Sequence, residues 1–173
     1  MVKMRNLLPI LLLSFSVLQL NGQQSNKIIF DEMANQNILY GRGTVDVFQN
    51  EQFNQWYSTE YEHYNVQTDL LTSAKLELTS ITIKVVLATW CKDSKREVPR
   101  FIKILSILEF PSEKLEIIGV DRKKVCPEAG VEAGFVAFVP TFFFFRNGIE
   151  IGRIVEHPNE SLESDLIKIL QNK

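Results

Sequence analysis

Hydrophobic and polar positions divide the chain into three stretches. From Leu7 to Leu20 nearly every position is apolar, with Lys3 and Arg5 before it and the polar run "NGQQSN" after it. From Ser25 to about Leu78 polar residues dominate, and the region leans towards helix. Within it Phe53, Trp56, Tyr57, Tyr61 and Tyr64 recur at a spacing that places them on one face of a helix. "TDLLTSAKL" predicts a second short helix, with Thr68 or Asp69 as its N-cap. From Ser80 the pattern changes. "ITIKVVLA" is a β-branched run of strand length, and "SKREVPRFIKILSIL" carries Val98, Phe101, Ile102, Ile104, Leu105 and Leu108 at helical spacing. Pro99 inside that helix removes a backbone donor and should kink it. "KLEIIGVD" predicts another strand. A loop with a short helix follows, and then "VPTFFFFRNGIEIGRIV", where Asn147-Gly148 between two strand-like runs predicts a hairpin. "NESLESDLIKIL" closes the chain as an amphipathic helix capped by Asn159 or Ser161.

Strand, helix, strand, loop with helix, hairpin, helix is an α/β plan. Its first two strands should be parallel neighbours joined by a right-handed crossover. Reactive groups in such sheets gather beyond the carboxyl ends of the strands, and both cysteines, Cys91 and Cys126, fall there. The aromatic stripe is either a binding face or packing area against this domain; packing is the expectation, because such stripes mostly supply buried area.

Three divisions follow: a leader over residues 1–23, a helical N-terminal extension over 24–79 and an α/β domain over 80–173. A basic start, an apolar segment of about 14 residues and an abrupt polar exit describe a secretory signal peptide. The apolar segment is short for a membrane span, which takes about 20 residues; an uncleaved anchor is the alternative. The whole chain has 173 residues, is 45% hydrophobic and 23% charged, and carries a net charge of -2. Removing Lys3 and Arg5 with the leader shifts this to about -4. No basic block suggests nucleic acid. His63 and His157 stand at no ligand spacing from a cysteine, so neither metal nor cofactor is expected. Export would bring both cysteines into an oxidising compartment.

The chemistry centres on "ATWCKDSKREVP", residues 88–99. A cysteine at the first turn of a helix faces unpaired N–H groups and the positive end of the helix dipole, which favour thiolate over thiol. The Ser94 hydroxyl, one turn on, is expected to donate a hydrogen bond to the sulfur. Lys92 and Lys95 add positive charge; Asp93 opposes it.

This segment resembles the thioredoxin active-site turn, with W-C-x-x-S where W-C-x-x-C is usual. Pro99 matches the helix-kinking proline of that family, and "VPTFFFFRNG" resembles the segment around its cis-proline and the hairpin after it. The similarity runs from about Ile81 to Leu170 and extends, through "KREVPRF" and "EIGRIVE", to exported bacterial thioredoxin-like proteins carrying W-C-G-D-S. The region from about Ile38 to Leu78 resembles the N-terminal extension of that group. The resemblance implies a thioredoxin-like fold, a central mixed sheet flanked by helices. It casts Cys91 as the attacking thiol, Trp90 as its surface aromatic and Val139, Pro140 and Thr141 as the cis-proline loop, whose backbone pairs with an extended substrate. Ser94 replaces the resolving thiol, Lys92 the usual glycine, and Val85 a buried acid that helps deprotonate a second cysteine.

A lone thiol can attack a substrate disulfide and hold it as a mixed disulfide until another thiol intervenes. A substrate thiol makes the outcome isomerisation; an external thiol reductant makes it reduction. The expected partners are exported proteins with disulfides or free thiols. Cys126 in "VCPEAG", with Pro127 at the first helical position, is either a free or structural thiol or a resolving one; the lone-thiol alternative is favoured, since a disulfide needs Cα atoms within about 7 Å. The competing function is non-catalytic: a binding or chaperone-like module that holds extended or misfolded chains through Trp90, the cis-proline groove and the aromatic stripe.

Overall fold

A computed structural model of the chain describes residues 25–172. The expected signal peptide and its flanking charges lie outside the described residues. The sheet at the centre has five strands. β3 (Gly41–Gly43), β4 (Ile81–Leu87), β5 (Leu115–Gly119), β6 (Thr141–Arg146) and β7 (Ile149–Val155) lie in the order β3-β5-β4-β6-β7. β4 and β5 are parallel, joined through α3 (Lys92–Ile107); the other pairs are antiparallel. This is a thioredoxin-like fold with a mixed sheet.

Period-two alternation assigns the two faces. Ile81, Ile83, Val85 and Leu87 of β4 point to one side with Phe142 and Phe144 of β6. There they meet Phe101, Ile104 and Leu105 of α3 and Leu162 and Leu166 of α4 (Leu162–Leu170). Val86, Ala88, Ile118 and Phe143 point to the opposite side, where the chain after β5 covers them with Val120, Cys126, Val131, Val136 and Val139. The long helices thus share one face, and a loop containing a single 3-10 turn (Pro127–Ala129) seals the other.

Several local expectations are met by identifiable chemistry. Asn147 and Gly148 both take positive φ (53° and 78°) between Arg146 and Ile149, the turn a two-residue hairpin requires. Ser161 caps α4 by accepting from the Ser164 N–H at 3.1 Å; Asn159 instead donates its N–H to Asp165 at 2.7 Å. Pro99 lies buried within α3, where it offers no N–H to the preceding turn.

The extension departs from the helical expectation in its first third. Residues 28–43 are mostly strand: β1 (Ile28–Asp31) and β2 (Gln36–Leu39) form an antiparallel hairpin, and β3 joins the main sheet beside β5. Helix begins only at the 3-10 segment Val45–Gln49 and continues in α1 (Glu51–His63), which Asn50 caps. "TDLLTSAKL" is a 3-10 segment (Thr68–Ser73) running into α2 (Ala74–Glu77), with Gln67 rather than Thr68 or Asp69 at the N-cap position. The aromatic stripe on α1 packs inward. Phe53 and Tyr57 are buried, Trp56, Tyr61 and Tyr64 pack against the same core, and Tyr57 stacks on Phe48 at 4.9 Å.

Extension and sheet pack tightly at Gly119. A Cβ added there would lie 2.3 Å from the Leu39 carbonyl oxygen, and backbone cannot yield as a flexible side chain can. Gly119→Ala should therefore lose about 1–3 kcal/mol, read as a lower midpoint in urea unfolding.

Candidate functional site

Where β4 ends, the chain turns through Ala88, Thr89 and Trp90 to Cys91, the N-cap residue of α3. The turn is anchored from below: the Cys91 N–H donates to the Ala88 carbonyl at 2.9 Å, and the Leu39 N–H of the extension donates to the buried Thr89 hydroxyl at 3.2 Å. Cys91 is partly exposed, and its thiol donates to the Val139 carbonyl at 3.2 Å. Val139–Pro140 is a cis peptide. Thiol and cis-proline loop are thus in direct contact.

Ser94 behaves differently from expectation. It is fully buried, and its hydroxyl accepts the Ala88 N–H at 3.2 Å, while the Cys91 thiol bonds to Val139 instead. The reason is local. Ala88 lies just past the end of β4, and its N–H, buried among apolar side chains, takes the nearest acceptor. Ser94 therefore braces the turn that carries Cys91. Its hydroxyl cannot form a disulfide with Cys91.

Trp90 is held on two sides. Its indole N–H donates to the Val120 carbonyl at 3.3 Å, and the Arg122 guanidinium stacks over its ring at 4.2 Å. The Arg122 N–H in turn donates to Asp31 at the end of β1, at 3.1 Å. Arg122 and Asp31 are absent from the sequence expectations. Arg122 carries a signal, since it follows Asp121 beyond the carboxyl end of a predicted strand, on the same edge as Cys91. Asp31 carries none, because the polar region around it leans towards helix.

The side chains of Val139, Pro140 and Thr141 are buried. The Thr141 hydroxyl donates to the Phe138 carbonyl at 2.8 Å, and the Pro140 carbonyl accepts the Glu156 N–H at 2.7 Å. What the loop presents outward is the Phe138 ring, 51% exposed. His63 and His157 are both exposed, on separate elements.

Cys126 is a free thiol with no exposed surface, enclosed with Val120, Val131 and Val136. The Asp121 carboxylate folds its loop by accepting the Lys123 and Val125 N–H groups, each at 2.9 Å. Cys126 then exchanges two backbone hydrogen bonds with Val131, at 2.8 and 3.0 Å. Burial pushes the Cys126 thiol up. Burial also pushes the adjoining Tyr40 phenol up to about 12, helped by Cys126 and Glu128 nearby. Tyr57 and Tyr64 are raised too, chiefly by burial, with the Glu163 carboxylate adding to the effect at Tyr64.

These shifts give a pH dependence with a definite sign. Unfolded, a thiol ionises near about 8.5 and a phenol near about 10, whereas the fold holds both protonated further. Their contribution to stability is complete below about pH 8.5 and is lost as pH rises through the folded values, about 12 for Tyr40. Melting temperature should therefore fall steadily above about pH 9.

No protein-family model matches the chain. Over 78 residues it is 35% identical to thioredoxin Asp f 29 of Aspergillus fumigatus, an alignment covering 44% of this chain and 66% of that one. Among solved structures it is similar to Fasciola hepatica thioredoxin, at 20% identity and a TM-score of 0.37, over 61% of this chain and 93% of that one. It is also similar to the oxidized form of mitochondrial thioredoxin 3 from Saccharomyces cerevisiae, at 21% identity and a TM-score of 0.37, over 60% and 90%.

Proposed function

We propose that this thioredoxin-like chain acts in thiol–disulfide exchange as a monothiol protein, with Cys91 as its nucleophile. One contrast carries the reading: Cys91 stands partly exposed against the cis-proline loop, while Cys126 is sealed in the core and Ser94 fills the place of a resolving thiol. The Cys91 thiolate attacks a substrate disulfide, forming a new S–S bond and expelling one substrate thiolate. The substrate stays attached until a substrate thiol attacks, giving isomerisation, or an external thiol does, giving reduction. Trp90 and the backbone around Val139 would hold the substrate chain beside the sulfur. In this reading the substrates are exported proteins with disulfides or free thiols, and the compartment is the bacterial periplasm, reached through the leader in residues 1–23.

The test is the lifetime of the mixed disulfide on non-reducing gels. Wild type should retain a trapped partner until a thiol is added, and Cys126→Ser should retain it equally long. Unaided release by wild type, abolished in Cys126→Ser, would show instead that Cys126 resolves.

The exposed Phe138 ring beside Val139 favours a second reading, a holder of extended or misfolded chains for which Cys91 is incidental. Cys91→Ser separates the two: a binder keeps its full capacity to suppress aggregation of an unfolded client, whereas an exchange protein loses its activity.

A further inference from the structure

A cavity of about 510 Å³ lies between α1 and the first turns of α3, immediately after Cys91 in the chain. Trp56 of α1 forms one wall and Lys92, Lys95 and Arg96 of α3 the other; none of the cis-proline loop lines it. Its charges are unevenly satisfied. Arg96 is engaged by Asp93 at 2.8 Å and by Glu97, and Glu60 by Arg100 at 2.7 Å. Lys92 and Lys95 have no acidic partner among the described residues, and neither has Glu51 a basic one on the α1 side. The Gln52 and Gln55 amides and the Thr59 hydroxyl complete a polar lining. Two free cations, one free acid, amide groups and an indole wall suit a small zwitterionic ligand with carboxylates for the lysines and an ammonium for Glu51. The volume falls within the usual range for small-molecule sites, about 300–1,000 Å³.

We propose that this cavity binds the external thiol that recycles Cys91, and that this thiol is an anionic, amino-acid or short-peptide type bearing carboxylates and an ammonium. The inference rests on the monothiol reading, which requires an outside reductant, and adds its docking site and chemical class. Because the cis-proline loop does not line the cavity, a small thiol there and a polypeptide at Val139 occupy different places. The bound thiolate attacks the Cys91 sulfur of the mixed disulfide. The Cys91–substrate S–S bond breaks, its electron pair leaves on the substrate sulfur, which takes up a proton, and Cys91 becomes joined to the small thiol. A second small thiol attacks the first one's sulfur, freeing the Cys91 thiolate and leaving the small thiol as its symmetric disulfide. The substrate is reduced and two small thiols are oxidised.

Glutathione and its diethyl ester, which share a thiol but differ in free carboxylates, provide the test on the full mature chain. Release of a trapped partner should be at least tenfold faster with glutathione than with the ester, and K92E/K95E should bring that ratio close to one. In parallel, S-methylglutathione should bind the Cys91→Ser protein and shift the amide resonances of Gln55, Trp56, Lys92 and Lys95, and K92E/K95E should abolish those shifts. Equal release by both thiols together with no binding of S-methylglutathione overturns the proposal while leaving Cys91 chemistry intact. Failure of every thiol to release a partner, or failure of Cys91 to capture one, overturns the monothiol reading itself; binding of S-methylglutathione then still decides whether the cavity is a site for such ligands.

Discussion

If Cys91 acts as the lone thiol proposed above, Ser94→Cys should convert a protein that holds its disulfide partner into one that lets it go. In the wild type, the position three residues after Cys91 carries a hydroxyl that is fully buried and accepts the Ala88 N–H. Residues three apart in a helical turn have Cβ atoms about 5–6 Å apart, and modest adjustment brings the pair within disulfide reach. A thiol introduced at this position would attack the Cys91 sulfur from within the same turn, so resolution becomes intramolecular and no longer waits for an added thiol. The expected result is a mixed disulfide that disappears unaided, leaving Cys91 joined to the introduced thiol in an internal disulfide. A gel lifetime equal to that of wild type, with no internally bridged peptide in a non-reducing digest, would contradict this. The substitution also exchanges a hydroxyl acceptor for a weak sulfur one. Losing a buried hydrogen bond of this kind costs about 0.5–1.5 kcal/mol, so the variant should fold but melt at a lower temperature.

Phe101→Ala should have the largest effect on stability. Phe101 has no exposed surface; its ring lies 4.6 Å from that of Phe142 and 5.9 Å from that of Phe144, joining α3 to the centre of the sheet. Truncation removes the ring and leaves a void that two rigid aromatic neighbours fill poorly, a loss of about 3–5 kcal/mol. The denaturant midpoint should drop sharply with the slope unchanged. A change below about 1 kcal/mol would mean that the core collapses around the gap, contrary to the packing described.

Much of this architecture is legible in the sequence, for reasons that differ from element to element. β4 announces itself by a β-branched run in which Ile81, Ile83 and Val85 face the helix-covered core and Val86, near its carboxyl end, faces the loop-covered one, while Thr82 stays exposed. The β6–β7 hairpin follows from a dipeptide that tolerates positive φ twice in succession. α3 shows its apolar face at helical spacing from Val98 to Leu108, about three turns, enough for the period to be unambiguous. β1 to β3 offer no such signal. They are short, and β3 is Gly-Arg-Gly, a strand without a side-chain pattern, made by backbone that can approach β5 where a larger residue could not. The orientation of Ser94 is equally hidden. Its spacing from Cys91 is plain in the sequence, but its partner is decided by an N–H left unpaired past the end of another element. Cys126 is ambiguous for a related reason: the loop that encloses it is folded by one carboxylate, Asp121, acting on backbone two and four residues away.

The placement of β3 bears on how the protein behaves in company. A sheet's outermost strand offers a row of unsatisfied N–H and C=O groups to any chain that meets it, and a long, flat, apolar edge invites self-association. Without β3, that edge would be β5, whose Ile117 and Ile118 are both buried. Three residues displace this hazard to a strand too short to template another, with Arg42 at its centre tied to Glu116 at 2.9 Å. On the far side, β7 carries Glu150 and Arg153 paired on its surface and a glycine between them. Both margins are blunted by shortness or charge, so the sheet is shielded against adding its own edge strands to those of another chain.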